Sequence, residues 1–284
     1  MQKLKVFFQM IKFEHTLFAL PFAYLGAFLA ANGVPSVFKL FWITLAMIGA
    51  RTAAMSLNRL IDRHIDARNP RTAQRALPAG VLRVNEVYFY TVLSFLLLGY
   101  SAYQLNILAL KLMPIAVFFL VLYSYTKRFT WACHIVLGIS LGLAPAGAWI
   151  GVTGHWDLAP VLLGLGVMTW VAGFDVVYAC QDVEFDRREG LRSIPAVFGL
   201  QRGLEISSGL HIIAAIFFIA VGVIMSMSWL YYVGVAIAIV LLYWQHRLVS
   251  ADDFSKIGVA FFDLNGYLSL LLFVFSILDL TLLR

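Results

Sequence analysis

Nine strongly apolar runs divide this chain, at 15–33, 38–57, 85–104, 107–125, 134–153, 158–181, 206–225, 229–246 and 259–282. Each is close to the roughly 20 residues with which a helix crosses a bilayer. The runs are continuous, not alternating, so they predict helices rather than the strands of a barrel. Charged residues make up only 13% of the chain, against about 25% in soluble domains, too few to cover a water-facing surface. The expected fold is therefore all-α: a polytopic membrane protein of about nine transmembrane helices around a central cavity opening to the cytoplasmic side. No linker or low-complexity segment interrupts the chain, which reads as a single membrane-embedded domain over 1–284.

The net charge of +6 is not spread as nucleic-acid binding requires, and no nucleic-acid partner is expected. Lys39, Lys111 and Arg284 sit near one set of helix ends, and Arg51 lies inside a run. The other Lys and Arg fall in the N-terminal tail or in the connections after the even-numbered runs, all on one side if nine runs span. The positive-inside rule makes that side cytoplasmic, which predicts a multi-pass protein of the inner (cytoplasmic) cell membrane. Met1 to Lys12 reads as a basic, amphipathic lead-in without a cleavage site. Cys133 and Cys180 form no disulfide framework and are expected to pack. The six histidines show no zinc-ligand spacing.

Two acidic motifs mark the charged side. Asn58, Asp62 and Asp66 recur every four residues and share one helical face, a set of oxygen donors suited to a hard cation. Asp175, Tyr178, Asp182 and Asp186 repeat the pattern after the run ending near 181, with Asp175 deepest. Glu184 and Glu189 fall off that stripe and read as solvated charges. Asp62 and Asp182 are 120 positions apart. That echo fits two similar halves facing one cavity; it also fits the general charge bias of loops on this side.

Carboxylates cannot hold a diphosphate directly, but magnesium bridges the two by taking a few carboxylates and filling its shell with phosphate oxygens and water. Two facing clusters thus predict Mg2+ around the diphosphate of a polyprenyl diphosphate, stabilising the leaving group as the allylic C–O bond ionises. Lys127, Arg128, Arg71 and Arg75 are the candidate phosphate contacts. Tyr123, Phe174 and Tyr178 are placed to shelter an allyl cation. Arg51 lies two turns deeper than Asn58 on the same face. A charge there is costly in a membrane helix, so it is expected to face a polar cavity and hold an anion.

Asn58-x-x-x-Asp62-x-x-x-Asp66, the stretch R-T-x-x-R-x-L-P-x-G from Arg71 to Gly80, Y-S-Y-T-K-R from Tyr123 to Arg128, and D-x-x-Y-A-x-x-D-x-x-x-D from Asp175 together resemble the UbiA superfamily of intramembrane aromatic prenyltransferases. Within it the chain looks most like 4-hydroxybenzoate polyprenyltransferases. The resemblance implies transfer of a polyprenyl group to the ring of a hydroxy aromatic acid, ortho to its hydroxyl, in respiratory (ubiquinone) quinone biosynthesis. It assigns Asn58, Asp62, Asp66, Asp182 and Asp186 to magnesium and diphosphate, and Lys127 and Arg71 to diphosphate. Arg51 would take the acceptor's carboxylate, and Asp175 would orient the acceptor or accept a proton. Arg59 departs from the family, which commonly has an aspartate after the asparagine. Glu14 and His15 resemble a subgroup acting on a dihydroxynaphthoate in menaquinone biosynthesis, which keeps that acceptor as the alternative. A CDP-alcohol phosphotransferase is excluded by the lack of its D-G-x-x-A-R motif. A cation-coupled transporter would place its carboxylates near the midplane; only Asp263 and Asn265 do so here, as packing groups or as cavity lining.

Overall fold

The computed structural model describes residues 2–12 and 16–283, and every regular element among them is helical. In chain order these are α1 (Gln2–Met10), α2 (Thr16–Ala31), α3 (Val37–Arg68), α4 (Val84–Leu105), α5 (Ile107–Thr126), α6 (Cys133–Thr153) and α7 (Leu158–Ala179). Two short helices, α8 (Val183–Arg188) and α9 (Ile194–Phe198), lead to α10 (Leu200–Ile224), α11 (Trp229–Leu248) and α12 (Leu264–Leu282). Among the described residues, seven helices are long and apolar enough to cross a membrane: α3, α5, α6, α7 with its continuation to Arg188, α10, α11 and α12 with the turn before it. Of the other two expected spans, α2 has a described apolar stretch of only Leu20–Ala31, and α4 carries Glu86, Ser94, Ser101 and Gln104. Helices α5 and α10 turn Ile115, Phe118, Ile212, Ile216 and Val223 outward, an apolar surface suited to lipid tails rather than water.

The helix expected over 38–57 is much longer: α3 has 32 residues. At 1.5 Å per residue its last 11 residues add roughly 16 Å beyond the apolar run, so the first acidic motif rides on a rigid helical extension. The second motif behaves differently. Helix α7 ends at Ala179, a 3₁₀ turn covers Cys180–Asp182, and α8 restarts the chain. Its acids therefore lie on three successive elements, Asp175 on α7, Asp182 on the 3₁₀ turn and Asp186 on α8, rather than on one uninterrupted helix. A π turn, Val259–Asp263, precedes α12. Asn265 stabilises it by donating to the Ala260 and Phe261 carbonyls and accepts from Trp170 Nε1 at 2.8 Å. Asp263, by contrast, is exposed.

Helices α6 and α7 pack backbone to backbone. A methyl group on Gly142 would meet the Gly164 carbonyl, and one on Gly138 would meet that of Met168. Without a hydrophobic drive between lipid-bathed helices, such small-residue contacts set how closely they approach. Gly142→Leu is expected to force the two apart and lower the melting temperature of the purified chain by several degrees; an unchanged melting curve would show that the contact is dispensable. At the end opposite the acidic motifs, Lys39 Nζ donates to the Leu105 and Gly151 carbonyls at 2.7 and 2.8 Å, satisfying open helix C-termini. Asp279, fully buried, accepts the backbone N–H groups of Ser228 and Tyr231 and caps α11 from α12. Cys133 and Cys180 are both free and buried.

Candidate active site

A cavity of about 560 Å³ runs between α3, α4, α5, α6, α7 and the start of α12. None of its lining comes from α10, which packs on α7, or from α11, which packs on α12 and α10, so it is not the hub of all the helices. One end is charged. The remainder is apolar and continues past Met47, Leu98, Met113 and Ala144 to Trp156, at the opposite end of α6.

The sequence-predicted site residues meet here. Asn58, Asp62, Asp66, Arg71, Arg75, Tyr123, Lys127, Asp175, Tyr178, Asp182, Asp186 and Arg51 all line the cavity. Arg128 does not: it lines a shallow basin outside with His64, Arg68 and Glu189. It still reaches the site from behind, where its Nη2 donates to Asp62 Oδ1 at 2.8 Å and to the Ile61 carbonyl. Glu189 is not simply solvated, because Arg68 Nε donates to it at 2.9 Å.

The carboxylates are held by cations from other elements. Lys127, at the end of α5, donates to Asp62 Oδ2 at 2.5 Å, and Asn58 Nδ2 donates to the same oxygen at 3.1 Å. Arg75 Nη1 spans both oxygens of Asp66 at 2.8 Å each. The two acidic motifs are joined through the connection after α3. Asn69 Nδ2 donates to Asp182 Oδ1 at 3.0 Å, and Arg71 grips Asp182 through Nε and Nη2 while its Nη1 donates to Tyr178 Oη at 3.0 Å. Burial alone would lower the Arg71 pKa, but the hydrogen bonds and charge of Asp182, with Tyr178, carry it above the usual guanidinium value. Asn69 Oδ1 accepts the Arg71 N–H, closing a local turn that aims this guanidinium. That connection ends near Gly80, whose φ of +72° favours glycine. Asp186 accepts from Ser193 Oγ at 2.7 Å.

Deeper in the cavity, Asp175 Oδ2 bonds His134 Nδ1 at 2.7 Å, and His134 Nε2 accepts the Ile194 N–H at 3.2 Å. With Nε2 accepting, the imidazole proton sits on Nδ1 and is donated to Asp175. His134 is the site residue that sequence spacing missed. It lies 41 positions before Asp175 at the first turn of another helix, where no periodicity points to it. Tyr123 is within electrostatic range of Arg51, Arg59, Asp62 and Asp175. Arg51 is half-buried, and its Nε is buried with no hydrogen-bond partner. Tyr178 packs against Phe261, the rings tilted by 33° with centroids 4.2 Å apart, and Phe174 also lines the cavity.

Among the described residues, no three His, Cys, Asp or Glu side chains gather as a ready metal cage. Magnesium does not demand one: it takes one or two carboxylates and completes its shell with phosphate oxygens and water. The hard oxygen donors Asp62, Asp66, Asp182 and Asp186, which all line the cavity, fit that chemistry.

Long apolar helices around a cavity charged at one end and apolar along its length define a multi-pass membrane protein. The chain belongs to the UbiA prenyltransferase family, which matches residues 19–273, and this favours the enzyme reading over the transporter. It is 26% identical over 277 residues to the 4-hydroxybenzoate octaprenyltransferase of Photobacterium profundum, covering 96% of each chain. It is 30% identical over 260 residues to that of Edwardsiella ictaluri, covering 90% of this chain and 89% of the relative. Among solved structures, the apo UbiA homologue of Aeropyrum pernix K1 superposes with a TM-score of 0.86 at 31% identity, covering 94% and 98% of the two chains. A UbiA homologue of Archaeoglobus fulgidus bound to DMAPP and Mg2+ shares the fold, with a TM-score of 0.74 at 18% identity, covering 97% and 99%. Glu14 and His15, which carried the naphthoate resemblance, lie outside the described residues.

Proposed function

We propose that this chain transfers a polyprenyl group from polyprenyl diphosphate to the ring carbon ortho to the hydroxyl of 4-hydroxybenzoate, a step of ubiquinone biosynthesis. The observation that carries the reading is the meeting of Asp62, Asp66 and Asp182 with Lys127, Arg71 and Arg75 at one end of the cavity, with Arg51 and Asp175 deeper in it. The names of the curated relatives support the choice of acceptor. In this reading Asp62, Asp66, Asp182 and Asp186, with Asn58, hold Mg2+ against the diphosphate. Magnesium, when bound, neutralises the charge that develops on the leaving oxygens.

Lys127, Arg71 and Arg75 turn from the carboxylates toward the phosphate oxygens, to which guanidinium and ammonium groups donate strong charge-assisted bonds. The C1–O bond of the donor breaks and its electron pair leaves with pyrophosphate. The allylic carbon, sheltered by Tyr178, Phe174 and Tyr123, is attacked by the acceptor ring, forming the new C–C bond. Asp175, held by His134, receives the ring proton. Arg51 fixes the acceptor's carboxylate, and the apolar arm toward Trp156 takes part of the isoprenoid tail. The basic connections and the charged mouth face the cytoplasm in an inner membrane, with the helices in the lipid bilayer.

The test is an acceptor competition. Membranes containing the chain receive magnesium and a long polyprenyl diphosphate with either 4-hydroxybenzoate or 1,4-dihydroxy-2-naphthoate, and products are followed by mass spectrometry. Prenylated hydroxybenzoate is expected. Product from the naphthoate alone would move the enzyme to menaquinone biosynthesis, and no product from either acceptor would overturn the reading.

A further inference from the structure

Arg59 is a cation set between Asn58 and Asp62 of the first acidic motif. Its position is one turn deeper than Asp62, roughly 4.5 Å along α3 at 1.5 Å per residue. The side chain lines the cavity and is only 11% exposed. Its Nε is buried without a partner, Nη1 donates to the neutral Asn58 Oδ1 at 3.2 Å, and the nearest carboxylate oxygen, on Asp66, is 3.9 Å away.

The neighbouring cations differ. Lys127 and Arg128 both bond Asp62, Arg75 spans both oxygens of Asp66, and Arg71 grips both oxygens of Asp182. A buried guanidinium whose one hydrogen bond goes to a neutral amide, with Asp66 only at 3.9 Å, has its desolvation penalty compensated only in part. An anion arriving in the cavity relieves it, and the planar fork of arginine matches phosphate oxygens. Arg75 also lies close enough to repel it, so two guanidiniums converge on one carboxylate.

We propose that Arg59 binds the diphosphate of the prenyl donor directly and gives this chain donor affinity that does not depend on metal. The proposal rests on the prenyl-donor reading above and adds a residue that its acidic motifs do not contain. Arg59 supplies a permanent positive charge beside the first acidic motif. Donor docking thus precedes metal entry, instead of requiring it to cancel repulsion between carboxylates and phosphate.

The test is calorimetric binding of farnesyl thiodiphosphate, a donor whose C–S bond resists ionisation, to the purified full chain in detergent, once with EDTA and once with magnesium. The wild-type chain is expected to bind in EDTA. Arg59→Met is expected to weaken binding in EDTA about tenfold or more, from the loss of a charge-assisted bond, while Arg59→Lys stays within about threefold of wild type. If Arg59→Met fails to fold, Arg59→Gln takes its place. Equal affinity of wild type and Arg59→Met in EDTA would overturn the proposal. So would a wild-type chain that binds only with magnesium, although the prenyl-donor reading would then survive. A wild-type chain that binds in neither medium would overturn both.

Discussion

Changing Asp182 to alanine is expected to leave a folded, inserted chain that has lost about three orders of magnitude in prenyl transfer, the scale on which removing one preorganised charge at a reacting centre acts. Asp182 sits on the cavity wall rather than in the core, with its side chain 17% exposed, and its partner Arg71 is 33% exposed and open to water. Losing the carboxylate therefore strands no buried charge, and stability should hardly change. Asp62 is a contrasting case. It is 2% exposed and is shared by Lys127 and Arg128, so removing it opens a gap in a packed wall and takes the partner from two cations at once, a larger disturbance than at Asp182. A lost activity in Asp62→Ala would mix misfolding with chemistry, whereas Asp62→Asn keeps the shape and tests the charge. Turnover by mass spectrometry at matched membrane levels, with melting curves of the purified variants, separates the two. An Asp182→Ala chain that keeps more than about a tenth of wild-type turnover would sink the two-cluster site, since a tenfold loss is only about 1.4 kcal/mol of transition-state stabilisation.

The parts of this fold legible in the sequence are those governed by local chemistry. Apolar runs located the long helices, because in lipid each span must satisfy its own backbone. Spacing of four gathered Asn58, Asp62 and Asp66, because α3 stays helical to Arg68. The same rule gave the right cavity wall for Asp182 and Asp186 for a partly different reason. There the helix tightens at Cys180–Asp182 and restarts, and Arg71 and Asn69 reach across to hold Asp182. What stayed hidden depends on contacts between elements far apart in the chain. Nothing around His134 announces that its ring joins Asp175 to the Ile194 backbone. Arg128 follows Lys127 in the chain, but successive residues of a turn point apart, and only Lys127 faces the cavity. Asp279 and Asp263 are both acids in the last apolar run, yet one caps α11 from full burial and the other is exposed.

Arg51→Leu is expected to raise the acceptor's KM by about 10- to 100-fold, the value of one to two decades for hydrogen bonds to a charged partner, while the donor's KM stays within about twofold. Arg51 lies 11 positions before Asp62 on α3, roughly 16 Å deeper along the helix axis, so it is out of reach of a diphosphate held at the mouth. Among the described residues its electrostatic neighbour is the Tyr123 hydroxyl, and its Nε has no hydrogen-bond partner. A buried cation without a counter-charge destabilises the helix that carries it. The same substitution that harms catalysis should therefore leave the melting temperature unchanged or raise it. That opposition is what a packing role would not produce: a structural arginine, once removed, would lower stability and affect both substrates alike. An acceptor lacking its carboxylate, such as phenol, should be used no worse by Arg51→Leu than by the wild-type chain, because the lost bond is one that phenol never made. If Arg51→Leu instead raised the donor's KM alone, Arg51 would belong to the isoprenoid diphosphate and the acceptor would have to be anchored elsewhere, with the His134–Asp175 pair the next group along the wall able to do it.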